Sequence, residues 1–283
     1  MSIPVYQVIV LGIVQGLTEW LPISSTAHLI LFPWLAGWSD PGLAFDVALH
    51  TGTLLAAVSY FWSDWVAFLR ATLPTASVSS GNSLEMQSRR RLLGLIVIGT
   101  APAAVAGVAG HRYVEEQLRS IPLIAASMIV VGLLMAWAER RSSYRRNVEV
   151  LQVNDAVAIG VAQACALIPG VSRSGATITA ALWRDMNRQA AARFSFLLAT
   201  PVIAGAALVE VPRLLHAVRL GTEVVSLPTI LLGVAVSAVS GYLAIAAFLR
   251  YLQFRTLMPF VYYRVALGSG ILVLWFLQHA AAR

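Results

Sequence analysis

Apolar runs of the length that crosses a bilayer recur along this chain, near residues 44–62, 92–110, 121–138, 194–211, 229–249 and 259–278. About 17 to 25 apolar residues suffice for one helical crossing, so the pattern predicts six spans. The chain is 58% hydrophobic and 12% charged, with a mean hydropathy of +0.76. Soluble domains lie far from this composition, and the expected fold class is an all-α polytopic membrane protein. Two further apolar regions, 4–36 and 156–183, are interrupted at their middles, the first by Pro22 and residues 24–26, the second by Pro169, Gly170 and residues 172–175. Irregular backbone at membrane depth survives only where protein or a wet cavity satisfies its N–H and C=O groups. Both regions therefore read as re-entrant helical hairpins.

The two broken regions are related to each other. "GIVQGLTEWLPISSTAHLI" (12–30) aligns without a gap on "GVAQACALIPGVSRSGATI" (160–178) at an offset of 148, pairing Gly12 with Gly160, Gln15 with Gln163 and Ser24 with Ser172. Each half then holds one hairpin and three spans: a first repeat over 1–140, a linker over 141–155 and a second repeat over 156–283, forming one integrated membrane domain. A hairpin returns to its own side, so three crossings start the second half from the opposite face. The topology is an inverted repeat, which places a site where the two breaks meet near the midplane.

Charge orients the expected fold. All 20 cationic residues are Arg, and the net charge is +7. Arg112, Arg119, Arg213, Arg219 and Arg283 fall on the face shared by the termini, whereas thirteen arginines, Arg70, Arg89–Arg91, Arg140, Arg141, Arg145, Arg146, Arg184, Arg188, Arg193, Arg250 and Arg255, fall on the other. The richer face is cytoplasmic by the positive-inside rule, leaving the termini and the first hairpin's entry outside. Arginine between apolar runs suits anionic headgroups rather than nucleic acid. The stretch 71–91 reads as a cytoplasmic loop, and the single Cys165 as a packing residue. Gln7 and Gln15 interrupt the first apolar run, so the first segment is expected to remain in the mature protein.

The polar residues of the two hairpins carry the chemistry. Gln15 and Glu19 stand four apart and share a helix face, able to reach one ligand or one hydrated cation. An intramembrane carboxylate is functional more often than not. Ser24, Ser25 and Thr26 have N-cap chemistry and would aim a helix's free amides at the break. His28, three residues after Ser25, is expected over the same turn as a proton donor or acceptor. In the second hairpin Gly170 and Gly175 permit close backbone approach, Ser172, Ser174 and Thr177 supply hydroxyls, and Arg173 can fork onto phosphate oxygens. The offset places Arg173 where Ser25 stands in the first half, so pseudo-symmetry brings nucleophile and clamp together. A structural Arg173–Glu19 ion pair is the competing reading. Asp46 and His50, four apart, line an access path or simply sit at the interface.

With "QGLTEWLPISSTAHL" and "PGVSRSGAT" both present, the sequence resembles the undecaprenyl-diphosphate phosphatases, a family also known as bacitracin-resistance proteins. The likeness extends over nearly the whole chain, including "FDVALHTGTLLA" (45–56) and "FSFLLATP" (194–201). It implies six spans with two re-entrant hairpins, and hydrolysis of the polyprenyl diphosphate carrier of cell-wall synthesis. It also implies Ser25, His28, Glu19 and Arg173 as the essential residues. Of the family's two acidic positions in the first motif, one is Gln15 here, so Glu19 alone carries charge. A Mg2+ or Ca2+ held by Glu19 and substrate oxygens is expected. The expected partners are the lipid diphosphate and membrane lipids, and a homodimer is compatible with the fold. A lipid-phosphate flippase or transporter is the alternative, since inverted repeats with broken helices also serve alternating access.

Overall fold

A computed structural model describes residues 3–39, 42–73, 83–118, 120–220 and 225–281. They form eleven α-helices: α1 (Val5–Trp20), α2 (Ser25–Ala36), α3 (Leu43–Tyr60), α4 (Trp62–Thr72), α5 (Ser83–Gln117), α6 (Ile121–Arg141), α7 (Val153–Cys165), α8 (Arg173–Trp183), α9 (Arg188–Leu220), α10 (Leu227–Tyr251) and α11 (Met258–Ala281). A single 3-10 turn, Val148–Val150, interrupts the connection between α6 and α7. The chain is a polytopic all-α membrane protein. Five helices, α5, α6, α9, α10 and α11, are long and apolar enough to cross a membrane among the described residues. The stretch expected to supply a sixth, 44–62, is α3, an 18-residue helix that carries Asp46 and His50 and turns at Phe61 into α4. Large apolar side chains such as Val97, Val105, Leu133, Leu231 and Val273 are exposed on these helices, as lipid-facing surfaces require.

Both interrupted apolar regions have the expected break. α1 ends at Trp20 and α2 begins at Ser25, while α7 ends at Cys165 and α8 begins at Arg173. The second helices thus start 148 residues apart, in register with the sequence repeat. The halves interleave: α1 packs on α10 of the second half, and α7 packs on α5 of the first. Glycines permit both approaches. A Cβ on Gly16 would stand 2.7 Å from the Gly241 amide, and one on Gly160 would stand 2.3 Å from the Gly99 carbonyl oxygen.

Several boundaries differ from expectation. Residues 71–91 do not form one loop: α4 runs to Thr72 and α5 starts at Ser83, so Arg89, Arg90 and Arg91 are helical, while residues 74–82 lie outside the described set. An arginine-rich amphipathic extension of a span looks like a loop on hydropathy alone. α6 continues through Arg141 and α7 begins at Val153, shortening the linker to 142–152. Cys165 is exposed at the end of α7 rather than packed inside. Of the arginines assigned to the terminal face, Arg119, Arg283 and the side chain of Arg112 lie outside the described residues.

Candidate active site

The two breaks have the same local geometry. Ser24 and Ser172, 148 apart, both adopt positive φ, at 77° and 73°, and each caps the helix that follows. The Ser24 hydroxyl accepts from the Ala27 amide at 3.4 Å, and the Ser172 hydroxyl accepts from the Gly175 amide at 3.1 Å. Non-glycine residues rarely hold this conformation, and such strain gathers where a chain must present specific atoms. Each cap starts its helix one residue later, at Ser25 in α2 and at Arg173 in α8, so both side chains sit at helix N-termini beside the breaks.

Glu19 is the hub between them. It is 5% exposed, on the last turn of α1. The Ser25 hydroxyl donates to Glu19 Oε2 at 2.6 Å, and Gln15 Nε2 donates to the same oxygen at 3.1 Å across one helical turn. His50 Nε2, from α3, faces Oε2 at 3.4 Å, and Arg173 Nη1 lies 3.5 Å from Oε1. His50 Nδ1 donates to the Asp46 carbonyl at 2.8 Å, which fixes the ring and turns Nε2 to the carboxylate. Burying Glu19 is tolerable because cations and donors surround it; removing them would cost several kcal/mol, about 3 to 5 for a broken buried pair. Ser25, Glu19, His50 and Arg173, with Ser24, Thr26, Ser172, Ala166 and Ile168, line a cavity of about 30 Å³.

Other expected site residues have internal tasks. His28 does not reach Ser25. Its Nδ1 donates to the Ser24 carbonyl at 2.7 Å, so in the neutral ring Nε2 is the acceptor, and it receives the Tyr263 hydroxyl of α11 at 2.6 Å. The i, i+3 spacing put His28 on the right turn but left its direction open, and a partner 235 residues away decided it. The Ser174 hydroxyl donates to the Leu21 carbonyl at 3.0 Å, joining the two breaks directly. Thr177 pairs with Ser195 of α9 at 2.5 Å. Gly170 has φ +91°, and a Cβ there would stand 2.3 Å from the Ile124 carbonyl oxygen. Gly175 supplies the capping amide. These four shape the cradle from outside the cavity wall.

One residue was misplaced by the sequence reading and another escaped it. His50 is in the site rather than at an access path, and the signal for it was a histidine within a span. Arg264 is fully buried on α11, and its signal was equally plain, an arginine inside the apolar run 259–278.

A multi-helix membrane protein that sets a serine hydroxyl on a buried carboxylate, beside a guanidinium and two capped helix ends, defines a class: integral-membrane proteins with a buried polar site at two helix breaks. Comparison with known proteins narrows the class. The family model described as bacitracin resistance protein BacA matches residues 8–270. The undecaprenyl-diphosphatase of Geotalea daltonii is 46% identical over 269 residues, covering 95% of this chain and 97% of that protein. The corresponding protein of Geobacter sulfurreducens is 47% identical over 268 residues, covering 94% and 97%. Undecaprenyl-diphosphatase 2 of Stutzerimonas stutzeri is 45% identical over 272 residues, covering 95% and 97%. The chain belongs to the BacA, or undecaprenyl-diphosphatase, family.

Proposed function

We propose that this protein hydrolyses undecaprenyl diphosphate to undecaprenyl phosphate and inorganic phosphate in the bacterial cytoplasmic membrane, returning the lipid carrier to cell-wall synthesis. The observation that carries the chemistry is the 2.6 Å hydrogen bond from Ser25 to Glu19, with Arg173 on the carboxylate's other oxygen. A hydroxyl becomes a nucleophile when an adjacent base takes its proton, and Glu19 is placed to do that. In this reading the terminal phosphate displaces Arg173 from Glu19 and receives its fork. Ser25 Oγ attacks phosphorus while its proton passes to Glu19, and the bond to the bridging oxygen breaks, releasing the lipid monophosphate. Glu19 gives that proton to the departing lipid monophosphate. Water then attacks the phosphoserine, passing its proton to Glu19, which returns it to Ser25 Oγ as the Ser25 Oγ–phosphorus bond breaks and inorganic phosphate leaves. The guanidinium and the capped ends of α2 and α8 offset charge developing on the phosphoryl oxygens.

In the same reading the fold is an inverted repeat of six spans, with α3 as the sixth crossing, and two re-entrant hairpins; what supports it is that residues of both capped breaks line one cavity. That cavity, at about 30 Å³, holds roughly one water. The headgroup therefore enters as Arg173 and the hairpins part, with its prenyl tail left in lipid. The Arg-poor face opens outward on the charge count.

A divalent cation fits the donor set. Among the described residues Gln15 Oε1 is buried with no hydrogen-bond partner, and with Glu19 it offers hard oxygen donors. Among the described residues no cluster of three His, Cys, Asp or Glu side chains forms, so a Mg2+ or Ca2+ would take its remaining ligands from the diphosphate and water. Once bound, such an ion would supply charge neutralisation of the leaving phosphate.

Purified protein incubated with a polyprenyl diphosphate should release phosphate, and Ser25→Ala should abolish release. Acid quench on the millisecond scale should trap phosphate on Ser25. A Ser25→Ala protein that still releases phosphate at the normal rate would defeat the nucleophile assignment, and lipid translocation without phosphate release would favour the flippase.

A further inference from the structure

Arg264 is 0% exposed and donates only to backbone carbonyls among the described residues. Its Nε reaches Met128 at 3.1 Å, its Nη1 reaches Pro22 at 3.2 Å, and its Nη2 reaches Gly170 at 2.8 Å, Val171 at 3.1 Å and Ser127 at 3.4 Å. Pro22 and Gly170 are 148 apart, the offset of the repeat. The two arms of one planar guanidinium therefore hold pseudo-equivalent carbonyls, one from each hairpin break. Each carbonyl lies two residues before a capping serine and three before Ser25 or Arg173. Desolvating a guanidinium without a carboxylate is costly, and lipid-embedded arginines persist where something depends on them.

We propose that Arg264 is a positioning residue for phosphoryl transfer: its fork fixes the register of the two breaks, and through them the placement of Ser25 relative to Arg173. This rests on the phosphatase reading above. Planarity matters, because five fixed donors can bind carbonyls arriving from three directions, whereas an ammonium on a flexible stem holds no such angle. Gly175 leaves room for the fork, since a Cβ there would stand 3.3 Å from Arg264 Nη1. The Ser174–Leu21 hydrogen bond is a second, weaker tie between the same two breaks. A displacement of about 1 Å between reacting groups is enough to cost roughly a hundredfold in rate.

The test compares unmodified protein with Arg264→Lys and Arg264→Ala in detergent, scoring kcat and KM per folded, monodisperse molecule with a polyprenyl diphosphate. The expected result for Arg264→Lys is a kcat fall of about a hundredfold with KM changed less than about threefold. Added guanidinium ion should recover part of the activity of Arg264→Ala. A purely structural arginine would reduce folded yield and melting temperature while leaving kcat per folded molecule intact, and that outcome overturns the proposal. If neither variant folds, Ser174→Ala reads the same register through the weaker tie: a kcat fall of about tenfold at constant KM is expected, and an unchanged kcat overturns it. Absence of phosphate release from the unmodified protein would instead remove the phosphatase reading itself.

Discussion

Four side chains from four helices, α1, α2, α3 and α8, meet at the Glu19 carboxylate, and three of them share one oxygen. In the proposed reaction that asymmetry divides the tasks: Oε2 takes the Ser25 proton, while Oε1 keeps Arg173 in waiting. Glu19→Gln preserves volume and keeps one acceptor oxygen for Ser25 and Gln15, but it cannot accept a proton. General-base loss is worth about a hundredfold to ten-thousandfold, so kcat for phosphate release should fall by roughly a thousandfold with little change in KM. Retention of more than a tenth of the normal kcat would remove Glu19 as the base. Glu19, Ser25 and Arg173 were legible in the sequence because a polar group in an apolar run has to be accounted for. Their meeting was legible because the repeat offset maps one onto the other. The direction of His28 was not, since a ring's rotamer depends on Tyr263, which no local spacing reveals.

The second hairpin is anchored where its first helix begins. Asp155, wholly buried at the first turn of α7, accepts from the Gln152 amide at 2.9 Å, from Arg146 at 2.6 Å and from Arg184 at 2.5 Å. Burial raises its pKa, but the hydrogen bonds from Arg146, Gln152 and Arg184 outweigh this and hold it below the ordinary carboxylate value. A depressed folded-state pKa contributes stability that is complete above the unfolded value, 3.8, and is lost as pH falls through the folded one. Asp155→Asn should therefore cost about 3 kcal/mol near neutral pH, visible as a lower melting temperature in detergent. The gap to the unmodified protein should close only in strong acid, below the ordinary aspartate range. A gap that persists there would show that the carboxylate's charge is irrelevant. Serine caps after Pro22 and Gly170 made both breaks legible at this scale. The clamp on Asp155 was not, because Arg184 lies beyond a whole helix in sequence.

Across the whole molecule, the first hairpin leans on the second half and the second hairpin on the first, so neither half encloses a core of its own. The repeat forecast two like hairpins, but which helix each would choose depended on glycine contacts such as Gly16 with Gly241 and Gly160 with Gly99, where partners more than sixty residues apart decide the fit. Orientation follows from charge: exposed Arg140, Arg141 and Arg145 lie around the 142–152 linker, on the Arg-rich face. If that face is cytoplasmic, trypsin added to inside-out vesicles should cut the linker and leave two fragments of about half the chain, while right-side-out vesicles should keep the linker intact. Cutting at the linker only in right-side-out vesicles would invert the topology, and with it the side from which the diphosphate reaches Ser25. The outward-opening reading stands or falls on that gel, because a cation excess sets the direction of insertion once and every later crossing inherits it.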